Sequence, residues 1–326
     1  MKRLVMLLLA LLLLLSCVSF AEEGGIKVGY VVAGPDDYYN VSAEVIRLAG
    51  EQRGWEVVVL NSEYVPEKEI SNVEDLITMG VDGIFVLAAN MESAQTATQK
   101  ANEAGIPIVF IAGGPGEGIG VPDSIVAGNW YFSGTWHAKN LNEVFPDAKV
   151  ALAMGVAGQD IGNLITEGFK EYYTGEIVNE QYCDWSRAGG LEFAQNMIAA
   201  MTDVDVIFAY NEEIAAGVKQ AYEEAGYQPG EVWIISNNGK EIGLQMLEEG
   251  WMQYTIEFAP TTEAYTGFLT MEALLEGKEV NATVENPAVC LSRDNLDQAI
   301  TWDAQLFIDE DYKLMDMDAV MAAILK

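Results

Sequence analysis

The chain has 326 residues, half of them hydrophobic, with 50 Asp and Glu against 17 Lys and Arg. This length exceeds the roughly 250–300 residues at which a single hydrophobic core stops growing, so it favours two packed lobes. The formal net charge of −33 repels phosphate backbones and anionic lipid headgroups, which excludes nucleic-acid binding and direct binding to a membrane surface.

Residues 1–21 have the pattern of an export signal. Two basic residues precede an apolar stretch (residues 4–15) that is too short to span a bilayer, and small residues follow. Two processing routes stay open, because Ala21 suits ordinary cleavage whereas Cys17 ends a lipobox-like segment and would be acylated. We therefore expect an exported protein, attached to a membrane only if Cys17 carries a lipid anchor.

From residue 26 onward, short β-rich runs alternate with longer helical ones. The first block predicts strands at 26–32, 55–60, 83–87, 107–111 and 124–127, and helices at 39–53, 66–79 and 91–104. The second and third helices each end at a glycine, Gly80 or Gly105, a residue typical of helix ends. Such a βαβ series predicts a parallel sheet.

The same alternation restarts after a predicted helix at 130–145. The second block predicts strands at 149–153, 176–182, 205–209, 231–236 and 253–256, and helices at 161–173, 188–201, 212–225 and 240–249. Two similar blocks predict an α/β protein with two doubly wound parallel-sheet lobes. Because ligands bind at the carboxyl ends of such strands, the turns there are the first places to search for a site.

The turn after the first strand places carboxylates and aromatic rings together. Asp37, Tyr38 and Tyr39 are candidate ligand contacts, although either Asp36 or Asp37 would also serve as the cap of the following helix. Neighbouring tyrosines at a helix start face different directions, so at most one of them joins the core. Asn90, after the third strand, is a further candidate.

In the second block the candidate residues are two amides and a tryptophan. Asn211 and Asn238 follow strands, and an amide both donates and accepts hydrogen bonds, which suits hydroxyl recognition. Capping of the next helix is the alternative role for each amide. Trp185 lies in a strand-to-helix turn, where its ring would cover an apolar sugar face or, alternatively, join the core.

Groups that would carry catalysis or bind a metal are scarce. The single histidine, His137, falls within a predicted helix, and the sequence has neither a Gly-x-Ser-x-Gly elbow nor a Cys-x-x-Cys pair. The glycine-rich segment 113–120 has neither the dinucleotide nor the P-loop spacing, so we interpret it as a flexible rim loop. Cys183 and Cys290 either pair or remain free thiols. We therefore predict no enzyme activity, no cofactor and no metal site.

Five segments together resemble the ribose-type periplasmic binding proteins, the sugar-receptor branch of the type I solute-binding family. They are residues 37–39, 101–107, 155–158 with 167–169, 208–217 and 289–296. The resemblance implies two lobes joined by three crossovers, near 127–129, 258–260 and 288–291, with the ligand trapped by hinge closure. It assigns residues 26–127 and 259–289 to a first lobe, and 128–258 and 290–326 to a second.

The resemblance also implies roles for individual residues. Tyr38 and Tyr39 match the family's stacking aromatics, Asp37 a hydroxyl-binding carboxylate, and Trp185 the ring of the second lobe. The other contact positions are those of Asn163, Asn211, Asn238, Phe258 and, for a second-lobe carboxylate, Asp160.

Several charged residues of the family pattern are missing. Ala112 and Gly113 replace a charged pair, Asn163 or Leu164 an arginine, Asn238 an acid and Phe258 a polar contact, and the calcium loop of galactose receptors is absent. A site with fewer charges favours a ligand that is flatter or less hydroxylated than ribose.

The resulting prediction is a non-catalytic receptor that captures a neutral monosaccharide or similar cyclic polyol. Its expected partners are that small-molecule ligand, an ABC transporter permease and a chemoreceptor or sensor that reads the closed form. A receptor for a nucleoside or other aromatic solute is the alternative. An exported enzyme on the same fold is a remote third hypothesis.

Overall fold

The computed structural model of the protein describes residues 25–326, so the predicted export signal and Cys17 lie outside the described residues. The described chain forms two six-stranded sheets flanked by helices. The predicted fold class, two doubly wound α/β lobes, is confirmed. Among residues 25–326, no helix combines the length and the hydrophobicity needed to cross a membrane.

The first sheet has the strand order β11-β5-β4-β3-β1-β2, and all neighbouring strands are parallel. Its strands are β1 (Lys27–Val32), β2 (Glu56–Asn61), β3 (Gly83–Leu87), β4 (Ile108–Ile111), β5 (Ser124–Gly128) and β11 (Thr283–Asn286). Helices α1 (Asp37–Arg53), α2 (Pro66–Thr78) and α3 (Met91–Ala104) connect the first four strands. β3 and β4 are apolar and buried throughout because helices cover both faces of the sheet.

The second sheet repeats this topology with the order β12-β10-β9-β8-β6-β7. Its strands are β6 (Lys149–Met154), β7 (Glu176–Tyr182), β8 (Val206–Ala209), β9 (Trp233–Asn237), β10 (Met252–Glu257) and β12 (Val289–Leu291). Its helices are α4 (Trp130–Val144), α5 (Asp160–Tyr172), α6 (Arg187–Ala199), α7 (Glu212–Glu224) and α8 (Glu241–Glu249). Only the edge strand β12 is antiparallel to its neighbour, β10.

The chain passes between the sheets at 128–130, at 257–260 and at 286–289. The second passage leads into α9 (Pro260–Leu275), which packs on α1, β4 and β5 of the first lobe. The third passage connects β11 to β12. In each sheet the strand order reverses at the first strand, which is the kind of switch point where α/β proteins bind ligands.

The C-terminal segment lies on the first lobe, not on the second lobe to which the sequence analysis assigned residues 290–326. α10 (Ala304–Asp309) packs against α1, and α11 (Met317–Ile324) contacts α9 and β11. Phe307 is fully buried, and Asn281 Nδ2 donates to the Ala323 carbonyl at 2.8 Å. The chain therefore returns to the first lobe after β12, because α10 and α11 bury their apolar residues on α1, α9 and β11.

Candidate functional site

The carboxyl ends of the two sheets face each other across a cleft, and groups from the two walls bond directly. Met91 N donates to the Gly158 carbonyl at 3.1 Å, and Gly114 N donates to Asp160 Oδ2 at 3.2 Å. Between the walls lies a narrow cavity of about 30 Å³. Its lining residues are Asp36, Tyr38, Tyr39, Trp130, Ile161, Trp185, Tyr210, Asn211 and Asn238.

The first wall carries Tyr38 and Tyr39 in the first turn of α1, and both side chains are buried in the core, although at most one of them was expected to join it. Asp36 caps the helix by accepting the Tyr38 N–H at 2.8 Å, which leaves its carboxyl group at the cavity. Burial raises the pKa of Asp36 to about 6, against the lowering effect of the Tyr38 N–H. The Tyr39 ring packs edge-on against Tyr64, with ring centroids 5.9 Å apart.

A buried carboxylate fixes Tyr38 to the segments that connect the lobes. The Tyr38 hydroxyl donates to Glu263 Oε2, and the Gly128 N–H donates to Glu263 Oε1. Glu263 is fully buried in the first turn of α9, and burial raises its pKa to about 7 despite the bond from Tyr38. A single side chain thus joins the first wall, the first passage and the helix that follows the second passage.

The opposing wall is built around Trp185, whose backbone has a rare conformation. Asp184 and Trp185 have φ values of 52° and 54°, in the left-handed region that costs non-glycine residues about 1–3 kcal/mol each. Asn211 Nδ2 donates to the Trp185 carbonyl at 3.1 Å. A Cβ at Gly155 would lie 2.1 Å from the indole ring, so only glycine there lets the ring lie at the end of β6.

Gln159 connects the two walls. It is buried, and its Nε2 donates to the Ala88 carbonyl at 2.9 Å and, more weakly, to the Tyr39 hydroxyl at 3.4 Å. Its Oε1 accepts the Trp185 indole N–H. This one amide therefore bonds both aromatic residues that the sequence analysis placed on opposite walls.

The two amides of the second wall differ in how their side chains are used. Asn211 Oδ1 caps α7 by accepting the Ile214 N–H at 2.8 Å, and its Nδ2 holds Trp185. Asn238 is buried and has φ of 103°, and its Oδ1 has no hydrogen-bond partner among residues 25–326. A buried acceptor without a partner costs about 1–3 kcal/mol. Asn238 is therefore the amide best placed to accept a hydrogen bond from a ligand.

Of the ten residues predicted from the sequence, the structure brings five to the cavity. They are Tyr38, Tyr39, Trp185, Asn211 and Asn238. Asp37 points away into solvent and pairs with Lys240 Nζ of the second lobe at 2.6 Å. Asp36 takes its place, because the capping residue of α1 faces the cavity and the next residue begins the helix.

The other four predicted residues make protein contacts outside the cavity lining. Asn90 caps α3 through the Ser93 N–H at 2.8 Å, and Asp160 accepts the Gly114 N–H across the cleft. The Asn163 amide lies 3.6 Å from the Met91 sulfur, and the buried Phe258 ring packs on Trp130 with centroids 4.2 Å apart. Asp160 and Asn163 thus reach the opposite wall and Phe258 packs on the lining residue Trp130, but these side chains contact protein groups and do not line the cavity.

Besides Asp36, three lining residues were not predicted from the sequence: Trp130, Ile161 and Tyr210. The Trp130 indole donates to the Ala112 carbonyl, and the Tyr210 hydroxyl lies 2.7 Å from Thr166 Oγ1. Each begins or precedes a helix at the carboxyl end of a strand or the start of a passage. Asn211 was predicted because it follows the carboxyl end of a strand, and the same reasoning applied to its neighbour Tyr210.

Other titratable groups near the cleft have structural roles. Glu212, fully buried, accepts the Gly239 N–H at 2.6 Å and the Thr255 hydroxyl at 2.8 Å, and burial raises its pKa to about 8. Burial lowers the pKa of His137 to about 3, so this side chain is neutral at pH 7. Cys183 and Cys290 are free thiols. Among residues 25–326, no group of three or more His, Cys, Asp or Glu is arranged to hold a metal ion.

Comparison with known proteins agrees with this geometry. A family model described as periplasmic binding protein domain matches residues 28–279. The ribose import binding protein RbsB of Haemophilus influenzae is 29% identical over 292 residues, covering 87% of this chain and 97% of the relative. Its Escherichia coli K12 counterpart is 29% identical over 239 residues, covering 71% and 78%.

Solved structures show the same fold. The Caulobacter myo-inositol binding protein bound to myo-inositol superposes with a TM-score of 0.81 at 19% identity, covering 86% of this chain and 98% of the other. An ABC transporter solute binding protein from Bacillus halodurans with bound myo-inositol gives 0.78 at 20% identity, covering 85% and 98%. Two similar lobes, a cleft between their sheets and the matching family model lead to one conclusion: the chain belongs to the periplasmic binding protein family.

Proposed function

We propose that this protein is the substrate-binding component of an ABC importer and captures a neutral monosaccharide or similar cyclic polyol in the cleft. The observation that carries the proposal is the pairing of Tyr39 and Trp185 from opposite walls with the unpartnered Asn238 Oδ1 beside them. The names of the sequence relatives, which include ribose and fructose import binding proteins, support the same class of ligand.

The lining provides the interactions that a sugar needs. Aromatic rings pack against apolar ring faces, and each such contact contributes about 0.5–1.5 kcal/mol. Asn238 Oδ1 accepts a hydrogen bond from one hydroxyl group of the ligand, and the Asp36 carboxyl group accepts a hydrogen bond from another. Net contributions are about 0.5–1.5 kcal/mol for a neutral hydrogen bond and about 1.5–3 kcal/mol for one to a charged group. The site is non-catalytic in this proposal, and its lining holds neither histidine, cysteine nor serine.

Binding requires the walls to move apart first. A cavity of about 30 Å³ holds about two water molecules, whereas a monosaccharide is several times larger. Few groups close the cleft: the Asp37–Lys240 ion pair, the Gln159 amide, the Asp160 carboxylate and the bond from Met91 N–H to the Gly158 carbonyl. Rotation about the passages between the sheets would open this set and admit the ligand.

A receptor for a nucleoside or other aromatic solute is the second candidate. The observation that favours it is the aromatic lining, since five of the nine lining residues are Tyr or Trp. Flat rings stack on such side chains without needing many hydroxyl contacts.

Isothermal titration against ribose, fructose, D-allose, myo-inositol and a set of nucleosides distinguishes the two. We expect at least one sugar or polyol to bind, and we expect Asn238→Ala to lower the affinity for that ligand about tenfold. Lys278→Ala serves as the control and is expected to change affinity less than threefold, because this side chain is 49% exposed, pairs with Glu276 and lies outside the lining. If no sugar or polyol binds and a nucleoside does, the second candidate function replaces the first.

Export and partners belong to the same proposal. We infer that the protein acts outside the cytoplasm, that a permease recognises its closed form, and that a chemoreceptor or sensor reads the same form. Mass spectrometry of the mature N-terminus separates an acylated Cys17 from cleavage after Ala21.

A further inference from the structure

A second, larger cavity lies outside the cleft, between the segments that connect the sheets and the C-terminal helices. Its volume is about 680 Å³, against about 30 Å³ for the cleft cavity, and it falls within the range of small-molecule sites. Its walls come from residues 257–259, 284–287, 297–300 and 311–316, from the first turns of α9, and from α10 and α11. We name it the hinge cavity.

The walls of the hinge cavity combine apolar and acidic side chains. Val284, Ile300, Phe307 and Val320 contribute apolar surface. Five carboxyl groups line it, those of Glu257, Glu285, Asp297, Asp311 and Asp316. None of its described lining residues is Lys, Arg or His. A cavity with this charge attracts cations and repels anions.

Two buried polar side chains in the walls have unused hydrogen-bonding capacity. Asn286 is 6% exposed and accepts the Thr266 hydroxyl at 3.1 Å, but its Nδ2 has no partner among residues 25–326. Glu257 is 2% exposed and accepts the Ile300 N–H at 2.7 Å through Oε1 alone. A buried N–H without an acceptor is unfavourable, so Asn286 indicates a ligand that brings an acceptor.

We propose that the hinge cavity binds a small organic cation that carries an apolar body and a hydrogen-bond acceptor. The acceptor takes the Asn286 Nδ2–H, the cationic group lies among the carboxyl groups, and the apolar body packs on Phe307 and Val320. A bare ammonium ion does not satisfy Asn286, because it only donates. A neutral sugar leaves the apolar walls and the acidic charge unused.

Ligand-observed NMR with phenylalaninol tests the proposal, because this probe carries an ammonium group, a hydroxyl group and a phenyl ring. Its matched controls at pH 7 are 3-phenylpropan-1-ol, which lacks the charge, and 3-phenylpropionate, which reverses it. We expect saturable binding of phenylalaninol, at least tenfold weaker binding of the neutral alcohol and no binding of the anion. Equal binding of all three probes, or none of phenylalaninol, overturns the proposal.

Variants locate the binding. Ala319→Phe fills the cavity from α11. The double variant Asp297→Asn with Asp311→Asn removes two charges from the cavity wall. Each change is expected to lower the affinity for phenylalaninol at least fivefold. The control double variant, Asp294→Asn with Asp318→Asn, changes the net charge equally at exposed positions outside the lining. An unchanged affinity in Ala319→Phe, with its melting curve intact, or an equal loss in both double variants contradicts the proposal.

Discussion

The two walls of the cleft hold their aromatic rings by different means. Tyr38 on the first wall is fixed by the buried Glu263, an ionisable group whose pKa burial raises to about 7. Trp185 on the second wall is fixed by neutral amides, a left-handed backbone and the close approach that Gly155 permits. The position of Tyr38 should therefore respond to pH and to loss of a carboxylate, whereas that of Trp185 should respond to changes in shape.

Glu263→Leu should give the largest effect. It leaves the Tyr38 hydroxyl and the Gly128 N–H buried without a partner, and each such loss costs about 1–3 kcal/mol. We expect the free energy of unfolding to fall by about 2–5 kcal/mol in urea denaturation. Glu263→Gln keeps an acceptor and a donor in place and is expected to cost less than about 1 kcal/mol. Equal losses in the two variants would mean that an amide cannot replace the carboxyl group as the partner of Tyr38 and Gly128.

Gly155→Ala tests the shape of the second wall. The added methyl group would lie 2.1 Å from the Trp185 ring, so the ring or β6 must shift, at a cost of about 1–3 kcal/mol. We expect a lower free energy of unfolding in urea denaturation and a lower affinity for the cleft ligand in isothermal titration. Gly162→Ala is the control, because a Cβ there meets no atom within 4 Å. A Gly155→Ala protein with unchanged stability and affinity would show that the ring has room to move.

The buried Glu263 should also make the stability of the protein depend on pH. The folded-state pKa of Glu263, about 7, lies above its ordinary value of 4.5, so the folded protein retains a proton that the unfolded chain has lost. Its stabilising contribution is complete below pH 4.5 and is lost as the pH rises through about 7. Burial raises the pKa of Glu212 to about 8, with the same sign.

Glu263→Gln should therefore flatten the decline in unfolding free energy between pH 5 and 7, by up to about 1.4 kcal/mol per pH unit. Gln159→Met, which removes the amide bonded to Trp185, should lower stability while keeping the wild-type slope. Denaturant titrations at pH 5, 6 and 7 measure both. A Glu263→Gln slope equal to that of the wild type would contradict the pH-sensitive role of the first wall.

Lys240→Ala should have the smallest effect. Its ion pair with Asp37 spans the mouth of the cleft, but the Asp37 side chain is 63% exposed, and exposed pairs contribute about 0–1 kcal/mol. We expect stability to change by less than about 1 kcal/mol, with the difference disappearing in 0.5 M salt. A larger loss that persists in salt would show that this pair stabilises the closed cleft more than an exposed ion pair does.

The sequence predicted most of the fold because its signals are local. Alternating apolar runs and glycine stops identified nearly every strand and helix of the two blocks, and the rule of parallel crossovers gave the sheets. It failed for the C-terminal part of residues 290–326: β12 belongs to the second sheet, but the helices α10 and α11 return to the first lobe. That return depends on contacts with α1, α9 and β11, which no local pattern encodes.

The site was predicted to the level of loops but not of side chains. The turn after β1 and the Trp185 turn were correctly expected to approach the cleft, yet Asp36 rather than Asp37 lines the cavity. A capping residue and its neighbour differ by about 100° around the helix, and sequence alone does not fix which one faces the opposite lobe. Gln159 was missed because its role exists only when Ala88, Tyr39 and Trp185 are brought together.

The secondary structure, the two-lobed class and the turns that border the cleft could be predicted from the sequence, since they follow from the period of apolar residues and from turn chemistry. Three features required the folded structure: which side chains meet across the cleft, why Asn238 has a free acceptor while Asn211 has none, and where the hinge cavity lies. These features depend on distances between residues far apart in the chain, such as Tyr38 and Glu263, and such distances are set by packing rather than by any local pattern.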